Sequence, residues 1–188
     1  MDDIILASGS AARKRSLATT GLQFRIESTS FLDESKVIEN DPEKRAVKLA
    51  ELKALGVACD NTRSVVIGAD MYVEFQGRIL EKPASKEEAF QTLKKLSNQT
   101  FHVISAVAVA CGGLVNSKLC KSEVTFRELE DNEIRSYISR YPVMNFSASF
   151  NEDGALLFTK ESNGCPHFVG GFHLGTVIEL LREFNVDI

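Results

Sequence analysis

The stretch Arg63-Ser-Val-Val-Ile-Gly-Ala-Asp70 frames the chain on either side of it. Val65, Val66 and Ile67 are β-branched and follow one another without polar alternation, which reads as a buried strand, and the strand runs into an acid. Upstream, Asp41 and Pro42 open a helix carried by Glu43–Cys59, because a proline in the first turn lacks only an N–H that would be unpaired there anyway. Further back, Asp3–Ala7 is a second short apolar strand that ends in Ser8-Gly9-Ser10. A helix over Ala11–Thr20 follows, with Leu17 inward and Gly21 as its stop. Leu22–Ser28 alternates as a strand, and residues 29–41 form a polar loop.

Downstream of Asp70, Tyr72–Leu80 reads as a hairpin turned at Gln76-Gly77. Lys86–Leu96 is a helix through Ala89, Phe90, Leu93 and Leu96. Thr100–Cys111 and Leu114–Glu128 are two long strands joined at Gly112-Gly113. Residues 131–140 form a polar helix, on which Tyr137 and Tyr141 are expected as surface or dimer contacts. Residues 141–171 are irregular, and Gly175–Phe184 closes the chain as a helix. Strands alternating with helices indicate a layered α/β protein, and the long hairpin makes its sheet mixed. No linker or repeat divides residues 1–188, so a single domain is expected.

The composition narrows the classes. With 188 residues, 44% hydrophobic and 26% charged, the chain is ordinary globular material. Its 22 basic against 26 acidic residues give a formal charge of −4, which provides no whole-molecule field for a nucleic-acid polymer. Cys59, Cys111, Cys120 and Cys165 are scattered, with no C-x-x-C pair, as expected of reduced thiols in a cytoplasm. Ile4–Ala7 is too short for a signal or anchor. The apolar run Val103–Cys111 is far shorter than the about 20 residues of a membrane helix.

Three constellations carry chemistry. Ser8-Gly9-Ser10, leading from a strand into a helix, presents backbone N–H groups where phosphate binds well. Arg13, Lys14 and Arg15 then oppose the helix dipole, although a capped helix with a solvated basic turn explains the same residues. Lys53 falls inside the apolar stripe of Ala46, Leu49, Ala50, Ala54 and Val57, so its ammonium must snorkel out or meet an anion. Asp70 closes a buried strand, the position from which a carboxylate holds a cation or takes a proton from water; an aspartate that starts a turn is the plainer alternative. Lys82, fixed in extended backbone by Pro83, adds a base, and Asp33 and Glu34 add acid. Bases near Ser8–Arg13, Lys53 and Lys82 with the acids Asp70 and Glu34 suit a metal-bound polyphosphate. Cys165, His167 and His173 lack a fourth partner at zinc spacing.

The order of these segments resembles one family, the Maf nucleotide pyrophosphatases. Its L-A-S-x-S-P-R-R stands here as Leu6-Ala7-Ser8-Gly9-Ser10-Ala11-Ala12-Arg13, and its A-x-x-K-A as Ala50-Glu51-Leu52-Lys53-Ala54. G-A-D-T-V-V is Gly68-Ala69-Asp70-Met71-Tyr72-Val73, and G-R-I-L-G-K-P is Gly77-Arg78-Ile79-Leu80-Glu81-Lys82-Pro83. L-S-G-x-x-H-x-V is matched by Leu96–Val103, and T-x-V-x-F by Ser122–Phe126. The resemblance implies an elongated mixed sheet with flanking helices and two lobes around a cleft, usually in a homodimer. It implies hydrolysis of a nucleoside triphosphate to the monophosphate and pyrophosphate with Mg²⁺ or Mn²⁺. Carried over by position, Asp70, Glu34 and Lys53 are catalytic, with Asp70 and Glu34 as metal ligands. Ser8, Ser10, Arg13 and Lys82 then bind substrate. Gly68-Ala69-Asp70 leans toward the branch acting on dTTP and UTP.

The chain departs from the pattern at the positions that select the base or support turnover. The family's first arginine after the serines is Ala12, and the threonine after the aspartate is Met71. The lysine and glutamine of D-K-A-G-A-Y-G-I-Q are Asn145 and Glu152. Ala12, Met71 and Glu152 are therefore the specificity candidates. The main rival to an enzyme is a nucleotide-binding regulatory relative without turnover; a septum- or replication-associated interaction protein is more distant.

Overall fold

The computed structural model describes residues 3–28, 34–164 and 171–188. In chain order the elements are β1 (Ile4–Leu6), α1 (Ala11–Ala18), β2 (Arg25–Ile26), α2 (Pro42–Ala58), β3 (Val65–Phe75), β4 (Arg78–Leu80), α3 (Lys86–Leu96), β5 (Thr100–Cys111), β6 (Leu114–Phe126), α4 (Asp131–Arg140), α5 (Glu152–Phe158), β7 (Thr159–Gly164) and α6 (Leu174–Glu183), with short 3₁₀ turns at Glu34–Lys36, Val143–Asn145 and Ser147–Ser149. The strands form one seven-stranded sheet in the order β2-β1-β3-β5-β6-β7, with β4 also paired to β3. β1 is parallel to β2 and β3, whereas β4 and β7 are antiparallel to their neighbours, so the sheet is mixed, as expected of an α/β chain with a central hairpin.

The chain divides into two compact units, each assembled from separate stretches of sequence. The first holds Met1–Met71, Ser105–Cys120 and Gly170–Ile188; the second holds Tyr72–Ile104 and Lys121–Val169. In the first unit, period-2 alternation sorts β1 and β3 into two faces. Ile4, Leu6, Val65, Ile67 and Ala69 pack with Leu17 of α1 and with Val177, Leu180 and Leu181 of α6. Ile5, Val66 and Gly68 lie on the opposite face, where Gly68 meets α2. The predicted stripe of α2 is the buried one: Ala46, Leu49, Ala50, Ala54 and Val57. Asp41 caps that helix by accepting from the N–H of Glu43 at 2.9 Å and of Lys44 at 3.3 Å.

The second unit is organised around aromatic rings. Phe101 meets Phe126 edge-on with centroids 4.7 Å apart, and Phe158 stands 4.9 Å from Tyr137. α3 presents Ala89, Phe90, Leu93 and Leu96 as predicted, with Ser85 capping its first turn. On the opposite sheet face His102 Nδ1 lies 3.0 Å from Glu74 Oε2 on the neighbouring strand.

Four expectations need correction. The strand predicted to end at Asp70 continues to Phe75, because Tyr72, Val73 and Phe75 are themselves buried and the ladder to β4 pairs Val73 with Leu80 and Phe75 with Arg78. Gln76 and Gly77 turn that hairpin with φ of 53° and 78°. The predicted strand Leu22–Ser28 shrinks to Arg25–Ile26. The segment read as irregular contains α5 and β7. Tyr137 is fully buried rather than a surface residue, because Ile134, Tyr137 and Ile138 form the inward stripe of α4.

Candidate active site

The site is assembled by a close approach between α2 and β3. A Cβ built on Gly68 would fall 2.3 Å from the carbonyl oxygen of Ala50 and 2.6 Å from the nitrogen of Ala54, so only glycine lets the helix backbone settle on the strand. Lys53 lies on the same helical turn as Ala50 and Ala54, and Asp70 lies two residues beyond Gly68 on the same strand face. The contact therefore delivers the ammonium to the carboxylate: Lys53 Nζ donates to Asp70 Oδ1 at 2.7 Å. Glu34, in the 3₁₀ turn ahead of α2, stands on the other side of the ammonium with Oε1 at 2.9 Å. Lys53 and Asp70 are only 13% and 10% exposed, whereas Glu34 is 52% exposed. Burial at this depth is costly for an unpaired charge, so of the two fates open to a lysine in an apolar stripe, an anionic partner prevails.

The small-residue loop after β1 reaches the same region of the first unit. The Ala7 N–H donates to the Ile67 carbonyl at 2.8 Å, which holds the strand end beside β3. Ser8 is buried, and its Oγ accepts from the Ser10 N–H at 3.3 Å and from Arg13 Nη1 at 3.1 Å. Ser10 caps α1 through the Arg13 N–H at 3.4 Å. Arg13 turns inward instead of joining a solvated basic turn: its Nε donates to the Gly171 carbonyl at 2.9 Å. Burial pulls the guanidinium below its ordinary value, and the charges of Asp70 and Glu34 oppose that shift. Two cations, Arg13 and Lys53, thus face two carboxylates, Asp70 and Glu34.

Gly171 had no place among the sequence candidates. Its φ is +78°, and a Cβ there would approach Arg13 Cγ to 3.0 Å. Its contribution is a backbone carbonyl, an atom every residue has, so the only sequence signal was the Gly170-Gly171 pair.

The other candidates are placed as follows. Ala12 is half-buried on α1. Met71 follows Asp70 on β3, and strand alternation turns its side chain to the face opposite that of Asp70. Lys82 and Glu152 belong to the second unit, Lys82 exposed just past β4 and Glu152 in the first turn of α5. Asp33, Cys165 and His167 lie outside the described residues. His173 caps α6, accepting the Thr176 N–H at 3.2 Å. Among the described residues no group of three or more His, Cys, Asp or Glu is arranged to hold a metal. Asp70 and Glu34 are nevertheless hard oxygen donors, and one or two carboxylates completed by substrate phosphates is how Mg²⁺ is usually held. The donor set therefore fits a divalent ion of the Mg²⁺ type.

Sequence comparison finds relatives that match along nearly the whole chain. A dTTP/UTP pyrophosphatase of Bacillus anthracis is 33% identical over 189 residues, covering all of this chain and 98% of its own. A nucleoside triphosphate pyrophosphatase of Shigella flexneri is 36% identical over 187 residues, covering 98% of this chain and 94% of its own. Among solved structures, the Ham1 protein of Staphylococcus aureus aligns over 98% of both chains with a TM-score of 0.47 at 17% identity. Residues 3–184 match the Maf-like protein family, and the chain belongs to that family.

Proposed function

We propose that the protein is a nucleoside triphosphate pyrophosphatase, hydrolysing its substrate to the monophosphate and pyrophosphate, with dTTP and UTP the favoured substrates. The observation that carries this reading is the buried Lys53–Asp70 pair with Glu34 and Arg13 beside it. A carboxylate, two cations and a serine-rich loop in one unit are the parts that water attack on an α-phosphate needs. In that reaction the water oxygen bonds to the α-phosphorus, Asp70 takes the water's proton, and the bond to the bridging oxygen breaks to release pyrophosphate. Among the described residues the Lys53 hydrogen bond falls on Oδ1 of Asp70, so Oδ2 is the oxygen that would accept the water's proton.

Arg13 and Lys53 offset the charge of the phosphate oxygens, and the N-terminal end of α1 after Ser10 adds partial positive charge. Asp70 and Glu34 would hold a Mg²⁺ or Mn²⁺ ion, which supplies Lewis-acid polarisation of the phosphate. Roles for Lys82 in phosphate binding and for Ala12, Met71 and Glu152 in base choice rest on the sequence resemblance. So does a homodimeric assembly, whereas a cytoplasmic location rests on the scattered cysteines and the treatment of residues 1–188 as one domain on the lack of a linker or repeat. Among the described residues no helix is long and apolar enough to cross a membrane.

The test is a screen of pyrophosphate release over natural and modified nucleoside triphosphates, each with Mg²⁺ and with Mn²⁺. The expected result is metal-dependent release, fastest with dTTP or UTP. Thermal stabilisation by nucleotides without release from any of them would instead establish a binding protein that has lost turnover, the reading that Ala12, Asn145 and Glu152 favour.

A further inference from the structure

The Lys53 ammonium lies between Asp70 and Glu34, the two carboxylates that would hold a divalent ion, at 2.7 Å from one and 2.9 Å from the other. We infer that Lys53 is a place-holder for the metal, so that the ion enters this site together with the triphosphate and not before it. The inference rests on the pyrophosphatase reading above. A divalent ion arriving alone must displace the ammonium from both carboxylates. Lys53 is only 13% exposed and its helix packs backbone-close on β3 at Gly68, so the ammonium has little water to move into. Displacement alone therefore leaves a desolvated cation without an anion. Arg13 adds to the barrier, because its buried charge is already felt by the same two acids.

A triphosphate changes the balance by bringing its own anion. Its oxygens accept the displaced ammonium, and the flexible four-carbon stem of Lys53 swings between carboxylate and phosphate without moving the backbone. Asp70 and Glu34 are then free to turn their oxygens to the ion that accompanies the nucleotide. The arrangement holds both carboxylates in position between turnovers and couples metal loading to the presence of substrate.

The experiment titrates the full-length protein with Mn²⁺ alone, followed by electron paramagnetic resonance. Wild type should bind weakly, Lys53→Gln at least tenfold more tightly, and the added substitution Asp70→Asn should remove the gain. Equal Mn²⁺ affinity in wild type and Lys53→Gln overturns the inference. Wild type alone supplies a second measurement should the variant fail to fold. Its melting temperature should rise with Mn²⁺ plus a non-hydrolysable triphosphate and stay unchanged with Mn²⁺ alone; an equal rise with Mn²⁺ alone overturns the inference. Failure of wild type to release pyrophosphate would instead count against the function proposed above and leave the Mn²⁺ result standing on its own.

Discussion

The two units bury polar side chains to similar depth and put them to different use. In the second unit, the Tyr137 hydroxyl donates to Asn151 Oδ1 at 2.6 Å and accepts the Asn151 N–H at 3.0 Å, while the same Oδ1 accepts from Gly154 and so caps α5. The tyrosine, asparagine and glycine groups that make these bonds are neutral, Asp153 touches only the outer Asn151 Nδ2 at 3.3 Å, and burial pushes the tyrosine up to about 12 so that it stays neutral. In the first unit the buried group is charged. Lys53 serves two carboxylates, and Arg13 spans a serine hydroxyl and a backbone carbonyl. A closed neutral network can only hold a fold, whereas charges that can exchange partners can act on a ligand.

The sharpest way to test that contrast is to neutralise one member of each network. Asp70→Asn keeps the shape and removes the proton acceptor, so pyrophosphate release should fall by at least about 100-fold, within the range for loss of a general base. The folded state should persist, because Glu34 still pairs Lys53. Next in size is Gly68→Val, which drives side-chain atoms into Ala50 and Ala54. Overpacking of this kind costs about 1–3 kcal/mol, and by lifting α2 it should remove Lys53 from Asp70 and lower activity with stability. Retention of wild-type turnover in either variant would break the assignment of chemistry to the first unit.

Tyr137→Phe probes the other side. Two hydrogen bonds are lost and Asn151 keeps an unanswered N–H, so stability should fall by about 1–3 kcal/mol with KM unchanged. Alkali supplies a companion test. Because the folded state holds the Tyr137 proton up to about 12 and the unfolded chain gives it up near 10, the stability from this group is complete below pH 10 and is lost as pH rises through 12. Denaturant titrations of wild type should show that decline more steeply than Tyr137→Phe.

How far these networks could be read in advance differed for physical reasons. α2 and α3 were legible because their apolar stripes recur at helical spacing and Asp41 and Ser85 mark their starts. The charged residues of the site were legible because the order of short motifs placed them in one family. α5 was not, since its buried face is only Gly154, Ala155 and Phe158 while Leu156 and Leu157 point to solvent, which inverts the pattern a reader looks for. β7 was hidden for the converse reason: Thr159–Gly164 is polar throughout because it is an edge strand. Tyr137 was misplaced by the polar composition of its helix, although the spacing of Ile134, Tyr137 and Ile138 carried the right answer. The long reach of β3 and the carbonyl of Gly171 depend on partners distant in sequence, which no local pattern encodes.

The smallest expected effect sharpens the comparison most, because it repeats the same pair of residue types in the second unit. Lys94 and Asp131 form an ion pair, as Lys53 and Asp70 do, yet their side chains are 49% and 57% exposed. The hydrogen bond to Asp131 raises the pKa of Lys94, but water surrounds both partners and holding two long side chains in place costs entropy. Lys94→Met should therefore leave the melting temperature unchanged at moderate salt, with at most a slight fall at low salt, where screening is weakest. Lys53→Met removes the same ammonium from a pair only 13% and 10% exposed and strands Asp70, so its melting temperature should change measurably and with little dependence on salt. Equal responses from the two variants would mean that burial does not separate the pairs, and the difference drawn between the units would fail with it.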